Sequence, residues 1–424
     1  HRLGEIAKDT IAEDAWFEKF GLLTVGPIDG HDLPTLIDML IEVKDVDRPL
    51  VLHVHTTKGK GYDFSESDAT KFHSPKPFTV EGCRVELKKK SGRAFTAVFA
   101  DGLIDVMHRD EKVVACTAAM PGGTGLANVM PEFPDRCWDT GICESHAMDM
   151  MAGLAKSGYK PFFAVYSTFL QRAFDPTFQE VALQGLPVRL CLDRAGLVGG
   201  DGAVHHGFCD VSILRVFPNA VLCAAMDEPS LQEALELMRT YEDGLSAVRY
   251  PRDDVSELFT DQQCPPFEIG KARALLEHDE PDAAILGYGA MAINAMNTVE
   301  ELNGEYKVNV YDARFAKPVD IALLRSLIER GIPIVTVEDH GIEGGFGSCV
   351  LDACNEYGLN TRNIKRLGIP CKWIYQDSRS AQLEEAGLDP ASIARTVRAL
   401  LDSTAEIETT ASTMPPSHEK KINT

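Results

Sequence analysis

An α/β protein with mostly parallel sheets is what this 424-residue chain predicts, and three observations carry that reading. Short apolar runs alternate with longer stretches of helical period: Val113–Thr117, Pro161–Tyr166, Pro187–Asp193, Ala220–Ala224 and Ser246–Tyr250, then Ala283–Gly287, Val308–Asp312 and Ile334–Val337. Such alternation places helices on both faces of a parallel sheet, because each parallel crossover has to return the chain to its starting edge. The alternation falls into two blocks, and the length exceeds what one hydrophobic core ordinarily organises, so two or three domains are expected. Third, 44% hydrophobic and 25% charged residues make an ordinary globular composition.

Charge and cysteines bound the function. The net charge of −22 argues against a nucleic-acid surface, which needs a basic face. It also repels anionic substrates at long range, so any such substrate requires a local arginine cluster. No run of about 18 apolar residues is present, and no membrane span is expected. The 11 cysteines show no Cys-x-x-Cys spacing and read as reduced thiols in a reducing compartment.

Taken in order, residues 1–20 open on a helical pattern without signal-peptide architecture. The turn-rich Val25-Gly26-Pro27-Ile28-Asp29-Gly30-His31-Asp32 feeds a helix through Val43, and a strand follows at Pro49–His55. His53 and His55 share one face of it, but two ligands do not make a metal site. The next loop, Thr56-Thr57-Lys58-Gly59-Lys60-Gly61-Tyr62, offers backbone N–H groups and lysines to an anion, without Walker A spacing. Residues 76–92 read as a linker.

The stretch 141–175 organises the rest. Glu144 starts a helix with Ala147, Met148, Met151, Ala152 and Ala155 along one side, closed by Ser157-Gly158. The strand Pro161–Tyr166 then leads through a polar turn to Gln171-Arg172, so Tyr166, Phe169 and Arg172 lie beyond a strand end, where open α/β sheets bind ligands. A carboxylate favoured by the helix dipole is the plainer reading of Glu144. After the strand ending at Asp193 comes the glycine-rich Arg194-Ala195-Gly196-Leu197-Val198-Gly199-Gly200-Asp201-Gly202-Ala203-Val204-His205, able to approach a ligand closely. Val248-Arg249-Tyr250-Pro251-Arg252 closes this block, and Arg249 reads as a structural ion-pair partner. Glu338-Asp339-His340 resembles a triad only in sequence, since neighbours seldom converge in space. Residues 403–424, rich in Ser, Thr, Glu and Pro, are expected to be disordered.

These stretches resemble the 1-deoxy-D-xylulose-5-phosphate synthase family of transketolase-like thiamine-diphosphate enzymes. The residues that carry the resemblance are Cys143-Glu144-Ser145-His146-Ala147, the run from Ala164 to Asp175, Asp193 to Gly207, Gly26 to Asp32, Lys58 to Tyr62 and Phe72-His73. Asp312-Ala313-Arg314-Phe315-Ala316-Lys317-Pro318 and Glu338 to Ser348 resemble a transketolase C-terminal domain. The resemblance implies thiamine-diphosphate-binding, transketolase-like parallel-sheet domains plus a transketolase C-terminal-type α/β domain. Residues 1–75 would be the C-terminal part of a diphosphate-binding domain lacking its front, 93–255 a pyrimidine-binding domain, 265–402 the C-terminal domain and 403–424 a tail.

The reaction so implied is a transferase step of the transketolase type: pyruvate and D-glyceraldehyde 3-phosphate condense, losing CO2, to 1-deoxy-D-xylulose 5-phosphate for isoprenoid, thiamine and pyridoxal synthesis. Glu144, His205, Asp201 and Tyr166 would be catalytic. Phe169, Glu144 and Lys58 would hold the cofactor, and Arg194, Arg252 and Arg172 the substrate phosphate. Partial burial of Glu144 among Ile142, Met148 and Met151 would suit it to share a proton. Thiamine diphosphate and Mg2+ are the implied cofactors. Of two candidates for the family's Gly-Asp-Gly…Asn metal motif, Ala100-Asp101-Gly102 has Asn128 at a suitable distance but lies inside an amphipathic helix, and Gly200-Asp201-Gly202 has no Asn at the right spacing, so no metal ligand is expected in this chain. The ligands would come from an absent N-terminal segment or a separate chain, without which cofactor binding should be weak and synthase activity absent. A homodimer is implied, in a bacterial cytoplasm in preference to a plastid stroma, with no nucleic-acid or membrane partner. The alternatives are transketolase, a 2-oxo acid dehydrogenase β-type subunit and a non-catalytic assembly subunit.

Overall fold

The computed structural model describes residues 15–69, 71–73, 75, 77–82, 84–87 and 92–413. The chain divides into two compact units, 1–91 and 92–424.

In the first unit, β1 (Leu23–Asp29) and β2 (Leu50–His55) pair in parallel, joined by α1 (Leu33–Val43). The Asp32 carboxylate caps α1 by accepting from the Thr35 N–H at 3.3 Å, and a proline in the first turn costs no helical hydrogen bond. Beyond β2, Gly59 has φ +79° and lies so close to Ser65 that a Cβ would meet its Oγ at 2.3 Å. Lys58 is exposed in that turn. His53 and His55 stand side by side, Nε2 to Nε2 at 2.9 Å. The stretch 76–92, read as a linker, instead carries an antiparallel hairpin of β3 (Phe78–Glu81) and β4 (Arg84–Leu87). Its Val80 and Val85 form a cross-strand pair that a composition-based reading does not reveal.

The second unit holds two sheets. The seven-stranded one has the order β14-β9-β10-β8-β7-β5-β6, made of β5 (Val113–Thr117), β6 (Cys137–Asp139), β7 (Lys160–Tyr166), β8 (Arg189–Asp193), β9 (Val221–Ala224), β10 (Ser246–Arg249) and β14 (Phe315–Lys317). All are parallel except β14, which runs antiparallel along β9. Helices cover both faces. On one lie α2 (Phe95–Arg109), with Val98, Phe99 and Leu103 inward, and α4 (Glu228–Thr240), with Leu231, Leu235 and Met238 inward. On the other lies α3 (Glu144–Lys156), which buries Ala147, Met148, Met151, Ala152 and Ala155. Asp101 sits mid-helix in α2 and pairs with Arg93 at 2.8 Å, which accounts for it without a metal.

The five-stranded sheet has the order β11-β13-β12-β15-β16, made of β11 (Arg273–Leu276), β12 (Ala283–Tyr288), β13 (Val308–Asp312), β15 (Ile334–Gly341) and β16 (Ile364–Ile369). Only β11 is antiparallel to its neighbour. The parallel α/β class the sequence implies is therefore the one observed. Helices α5 (Met291–Glu301), α6 (Ile321–Glu329), α7 (Phe346–Glu356), α8 (Arg379–Ala386) and α9 (Pro390–Thr413) complete this half. Two features depart from the expected division. Strand β14, drawn from the C-terminal half of the sequence, closes the first sheet, so the two halves interlock. Helix α9 runs on to Thr413, past the expected start of the disordered tail at residue 403, and 414–424 lie outside the described residues.

Candidate active site

Because β5, β6, β7, β8 and β10 are parallel, the segments that follow them emerge at one edge of the sheet, and that edge gathers the chemistry-bearing side chains. The segment after β6 delivers Glu144, that after β7 delivers Phe169 and Arg172, that after β8 delivers Arg194, Asp201 and His205, and that after β10 delivers Arg252. Tyr166 is the last residue of β7 itself.

Glu144 is 3% exposed at the N-terminus of α3. Its Oε1 accepts from Arg172 Nη1 at 2.9 Å. Ser145 Oγ donates to the Arg172 carbonyl at 2.7 Å, so the helix start and the turn carrying Arg172 are tied twice. Ile142, expected to help bury Glu144, is instead 74% exposed, because it precedes the helix on an open turn. Arg172, expected among the phosphate ligands, is engaged by this carboxylate and by the Phe169 ring, 5.1 Å from its centroid.

Phe169 stacks on Tyr166 with centroids 5.7 Å apart, and the His205 ring meets it edge-on at 5.6 Å. The Arg194 guanidinium covers the Tyr166 ring at 4.2 Å. Five side chains from three segments thus form one continuous stack, Arg172–Phe169–Tyr166–Arg194 with His205 at its side. Gly123 makes the approach possible, since a Cβ there would lie 2.0 Å from the Tyr166 hydroxyl oxygen. Burial pushes the Tyr166 hydroxyl pKa up, which keeps it a proton donor, while Arg194 pulls the other way.

The three arginines are not equivalent. Arg194 is 12% exposed and adopts φ +59°, in the left-handed region that a side chain of its size seldom visits. Its Nη1 donates to Asp193 Oδ1 at 2.9 Å, to Thr96 Oγ1 at 3.2 Å and to the Gly123 carbonyl. Burial acts to lower its pKa, yet Asp193, Tyr166 and Asp201 together outweigh that and raise it, which holds the guanidinium charged. Arg252 is 43% exposed, with Nε 3.0 Å from Asp201 Oδ2 and Nη1 donating to the Val198 carbonyl at 3.1 Å. His205 Nδ1 lies 3.0 Å from the Asp201 carbonyl oxygen. A carbonyl only accepts, so Nδ1 carries the proton and Nε2 keeps its lone pair when the ring is neutral. Asp201 therefore bridges Arg252 and His205 through different atoms.

Arg249 behaves as the structural partner its context suggests. It is 5% exposed, its Nε donates to Asp210 Oδ2 at 2.9 Å, and its Nη2 donates to the carbonyls of Gly207 at 3.2 Å and Asp339 at 2.9 Å. Glu338, Asp339 and His340 do not line up as a triad: His340 Nδ1 lies 3.9 Å from Glu338 Oε2, too far for a hydrogen bond, and Asp339 turns to other partners. Glu338 accepts from the N–H groups of Phe346 and Gly347 at the start of α7, Asp339 accepts from the Leu197 N–H and from Arg379, and His340 Nε2 lies 3.5 Å from Asp210 Oδ1.

Burial lowers the His340 pKa to about 4 from the ordinary 6.5; Asp210 and Asp339 oppose the shift and Arg249 reinforces it. Between those values the unfolded chain binds a proton that the folded one refuses, so stability falls as pH drops through the window, by up to about 3 kcal/mol. The urea midpoint of His340→Asn should accordingly fall less between pH 7 and pH 4 than that of the parent. Parallel pH curves would show that His340 does not carry this acid limb.

Sequence reasoning missed Thr96, Arg379 and Gln382, because no motif marks them; only folding brings them to the loop after β8. Lys58 belongs to the first unit.

The fold and these residues define a transketolase-like α/β protein. The chain matches the transketolase pyrimidine-binding domain over residues 91–257 and the transketolase C-terminal domain over residues 270–393. The 1-deoxy-D-xylulose-5-phosphate synthase N-terminal family matches over residues 1–56. It is 40% identical over 401 residues to 1-deoxy-D-xylulose-5-phosphate synthase 1 of Geobacter metallireducens, covering 94% of this chain and 64% of that protein. The Aquifex aeolicus synthase is 42% identical, over 93% of this chain and 62% of the relative. Within the transketolase-like class, the chain is similar to the 1-deoxy-D-xylulose-5-phosphate synthases, and it spans a little under two thirds of the length of these curated relatives. A solved split gene transketolase, described as an inactive beta4 tetramer, superposes with TM-score 0.64 at 26% identity, over 74% of this chain and 99% of that one. Pichia stipitis transketolase, at 14% identity and TM-score 0.62 over 78% of this chain and 48% of its own, shares the fold. No helix among the described residues is long and apolar enough to cross a membrane.

Proposed function

We propose that this chain serves a thiamine-diphosphate-dependent synthase that condenses pyruvate with D-glyceraldehyde 3-phosphate, releasing CO2, to give 1-deoxy-D-xylulose 5-phosphate. Similarity to the curated synthases supports the reading, and one observation carries it: a nearly fully buried carboxylate, Glu144, stands at a helix start beside the Phe169–Tyr166 stack.

These residues fit the pyrimidine end of the cofactor. Phe169, half-buried, supplies an aromatic ring, and Glu144 offers an acceptor whose Oε1 is already anchored by Arg172. Among the described residues no group of three or more His, Cys, Asp or Glu could hold a metal ion. Bound thiamine diphosphate would supply the electron sink for loss of CO2 from pyruvate. Glu144 Oε2 would hold and return a proton at the pyrimidine ring nitrogen, and Arg172 would keep that carboxylate oriented. His205 Nε2, with its lone pair set by the Nδ1 contact to Asp201, would accept a substrate hydroxyl proton. The Tyr166 hydroxyl, held protonated by burial, would donate to the donor substrate. The exposed guanidinium of Arg252, with Arg194 behind it, would read the acceptor phosphate. We propose a cytoplasmic homodimer as the working form; the ten described cysteines, all free, agree with a reducing compartment.

The deciding assay supplies thiamine diphosphate, Mg2+, pyruvate and glyceraldehyde 3-phosphate to the chain together with a segment or partner chain carrying the diphosphate half-site, and looks for 1-deoxy-D-xylulose 5-phosphate. Two-carbon transfer from xylulose 5-phosphate in its place would make the protein a transketolase. Arg252→Ala should raise the KM for glyceraldehyde 3-phosphate about ten- to a hundredfold, the worth of one charged hydrogen bond, and leave the KM for pyruvate nearly unchanged. Equal damage with unphosphorylated glyceraldehyde would mark Arg252 as structural.

A second reading, an assembly subunit that needs a partner for the diphosphate side, is favoured by the similarity to the inactive split gene transketolase. Calorimetry separates the two: tight, Mg2+-dependent thiamine diphosphate binding by the isolated chain supports the enzyme, and binding only after a partner is added supports the subunit.

A further inference from the structure

The loop that follows β8 belongs to the pyrimidine-type sheet, yet the C-terminal half satisfies much of its backbone. Gln382 of α8 is 1% exposed, and both polar atoms of its amide engage one residue: Oε1 accepts from the Gly199 N–H at 2.8 Å, and Nε2 donates to the Gly199 carbonyl at 3.2 Å. Nε2 also reaches the Tyr375 carbonyl at 2.8 Å, which fixes the amide's orientation. Arg379 Nε donates to the Leu197 carbonyl at 3.0 Å, while Asp339 Oδ1 accepts from the Leu197 N–H at 3.0 Å. Gln376 Nε2 donates to the Gly200 carbonyl at 2.6 Å. His206 closes the far side, with Nε2 3.1 Å from the Ile374 carbonyl oxygen and Nδ1 accepting from the Val198 N–H at 3.3 Å. Both ends of the stretch 197–206, with Asp201 and His205 between them, are thus fastened to residues 374–382.

The fastening is selective. Gly196 has φ +77°, and a Cβ there would come within 2.1 Å of the Asp339 carboxyl carbon, so the loop is seated against this carboxylate. Arg379 holds the seat from behind, donating to Asp339 and, at 2.9 Å, to Asp253. Beside the clamp lies a cavity of about 410 Å3 lined by His206, Phe208, Trp373 and Ile374, so close packing alone does not pin this seam. Glu144 and Phe169 make no contact with the clamp residues among the interactions described above.

We propose that residues 374–382 form a positioning clamp, centred on Gln382, that sets the geometry of Asp201 and His205 from the C-terminal domain. The inference rests on the proposed function for the role of those two side chains, but not for the clamp itself. Gln382, Arg379 and Gln376 are positioning residues: they touch the loop and not the substrate.

The test uses the protein with Gln382→Met, of matching length without hydrogen bonds, and Gln376→Ala, at an exposed position where folding is not at issue. Amide hydrogen exchange over 197–206 should quicken about tenfold or more in Gln382→Met and by a smaller factor in Gln376→Ala, while peptides from β8 and β10 keep parental rates. In the synthase assay, Gln382→Met should lower kcat about ten- to a hundredfold, the scale of an ångström-sized misplacement. The dissociation constant for thiamine diphosphate should stay within about twofold, since the clamp does not hold the pyrimidine side. Loop exchange at the parental rate in both variants overturns the clamp, as does acceleration spread equally through β8 and β10. A parent without synthase activity even when a diphosphate half-site is supplied refutes the proposed function alone, because the exchange comparison still decides the clamp.

Discussion

Glu144→Gln is expected to lower synthase turnover by at least about 10²-fold, the usual scale for loss of an acid–base group. The substitution keeps the shape of the side chain and an oxygen for Arg172, but its amide can neither hold nor return a proton. The Glu144–Arg172 pair has one member 3% and the other 54% exposed, so removing its charge should cost folding about 1 kcal/mol or less. Activity and stability should therefore separate: a collapse in kcat with an almost unchanged urea midpoint. A second readout is the hydrogen exchange of the cofactor's reactive carbon in the bound state, which should slow by a similar factor. Exchange at the parental rate would remove Glu144 from the proton relay, whatever happened to turnover.

Arg249→Met is expected to have the largest effect on stability. Arg249 and Asp210 are 5% and 1% exposed, and the guanidinium also holds the carbonyls of Gly207 and Asp339, so it joins β10, the loop after β8 and β15. Removing it leaves Asp210 buried without its cation, a change that costs about 3–5 kcal/mol. Replacing both partners, Arg249→Met with Asp210→Leu, should recover much of the loss, since desolvation of the stranded carboxylate is the main penalty. A single-variant loss below about 1 kcal/mol by urea unfolding would mean that water reaches Asp210 and relieves it.

How far the sequence could be read follows from what each signal depends on. The helix at Glu144 was legible because its apolar residues recur at helical spacing and glycine ends it, both local properties. Strands such as Val113–Thr117 and Val308–Asp312 were legible as short apolar runs. The three-residue strands Cys137–Asp139 and Phe315–Lys317 were not, because nothing local distinguishes them from loop; each exists through the neighbour it pairs with. Phe315–Lys317 lies some ninety residues from its partner β9, so its interlock between the sheets is a tertiary event. Within the site, residue types were legible and partners were not. Arg172 reads as one more cation in an acidic chain until the turn after β7 folds it back onto Glu144.

The sequence by itself determined the class of this protein and the chemical inventory of its site: parallel α/β architecture, a carboxylate at a helix start, an aromatic pair after a strand, and arginines beyond strand ends. Those follow from periodicity and composition, which act over a few residues, and from runs long enough to carry a family resemblance. Only the tertiary structure decided which arginine meets which carboxylate, that Arg194 is nearly enclosed while Arg252 faces outward, and that Gln382 and Arg379 hold the loop of Asp201 and His205. Hydrogen bonds and ion pairs form between groups 28 to 183 residues apart in the chain, and their geometry exists only once the sheets have packed.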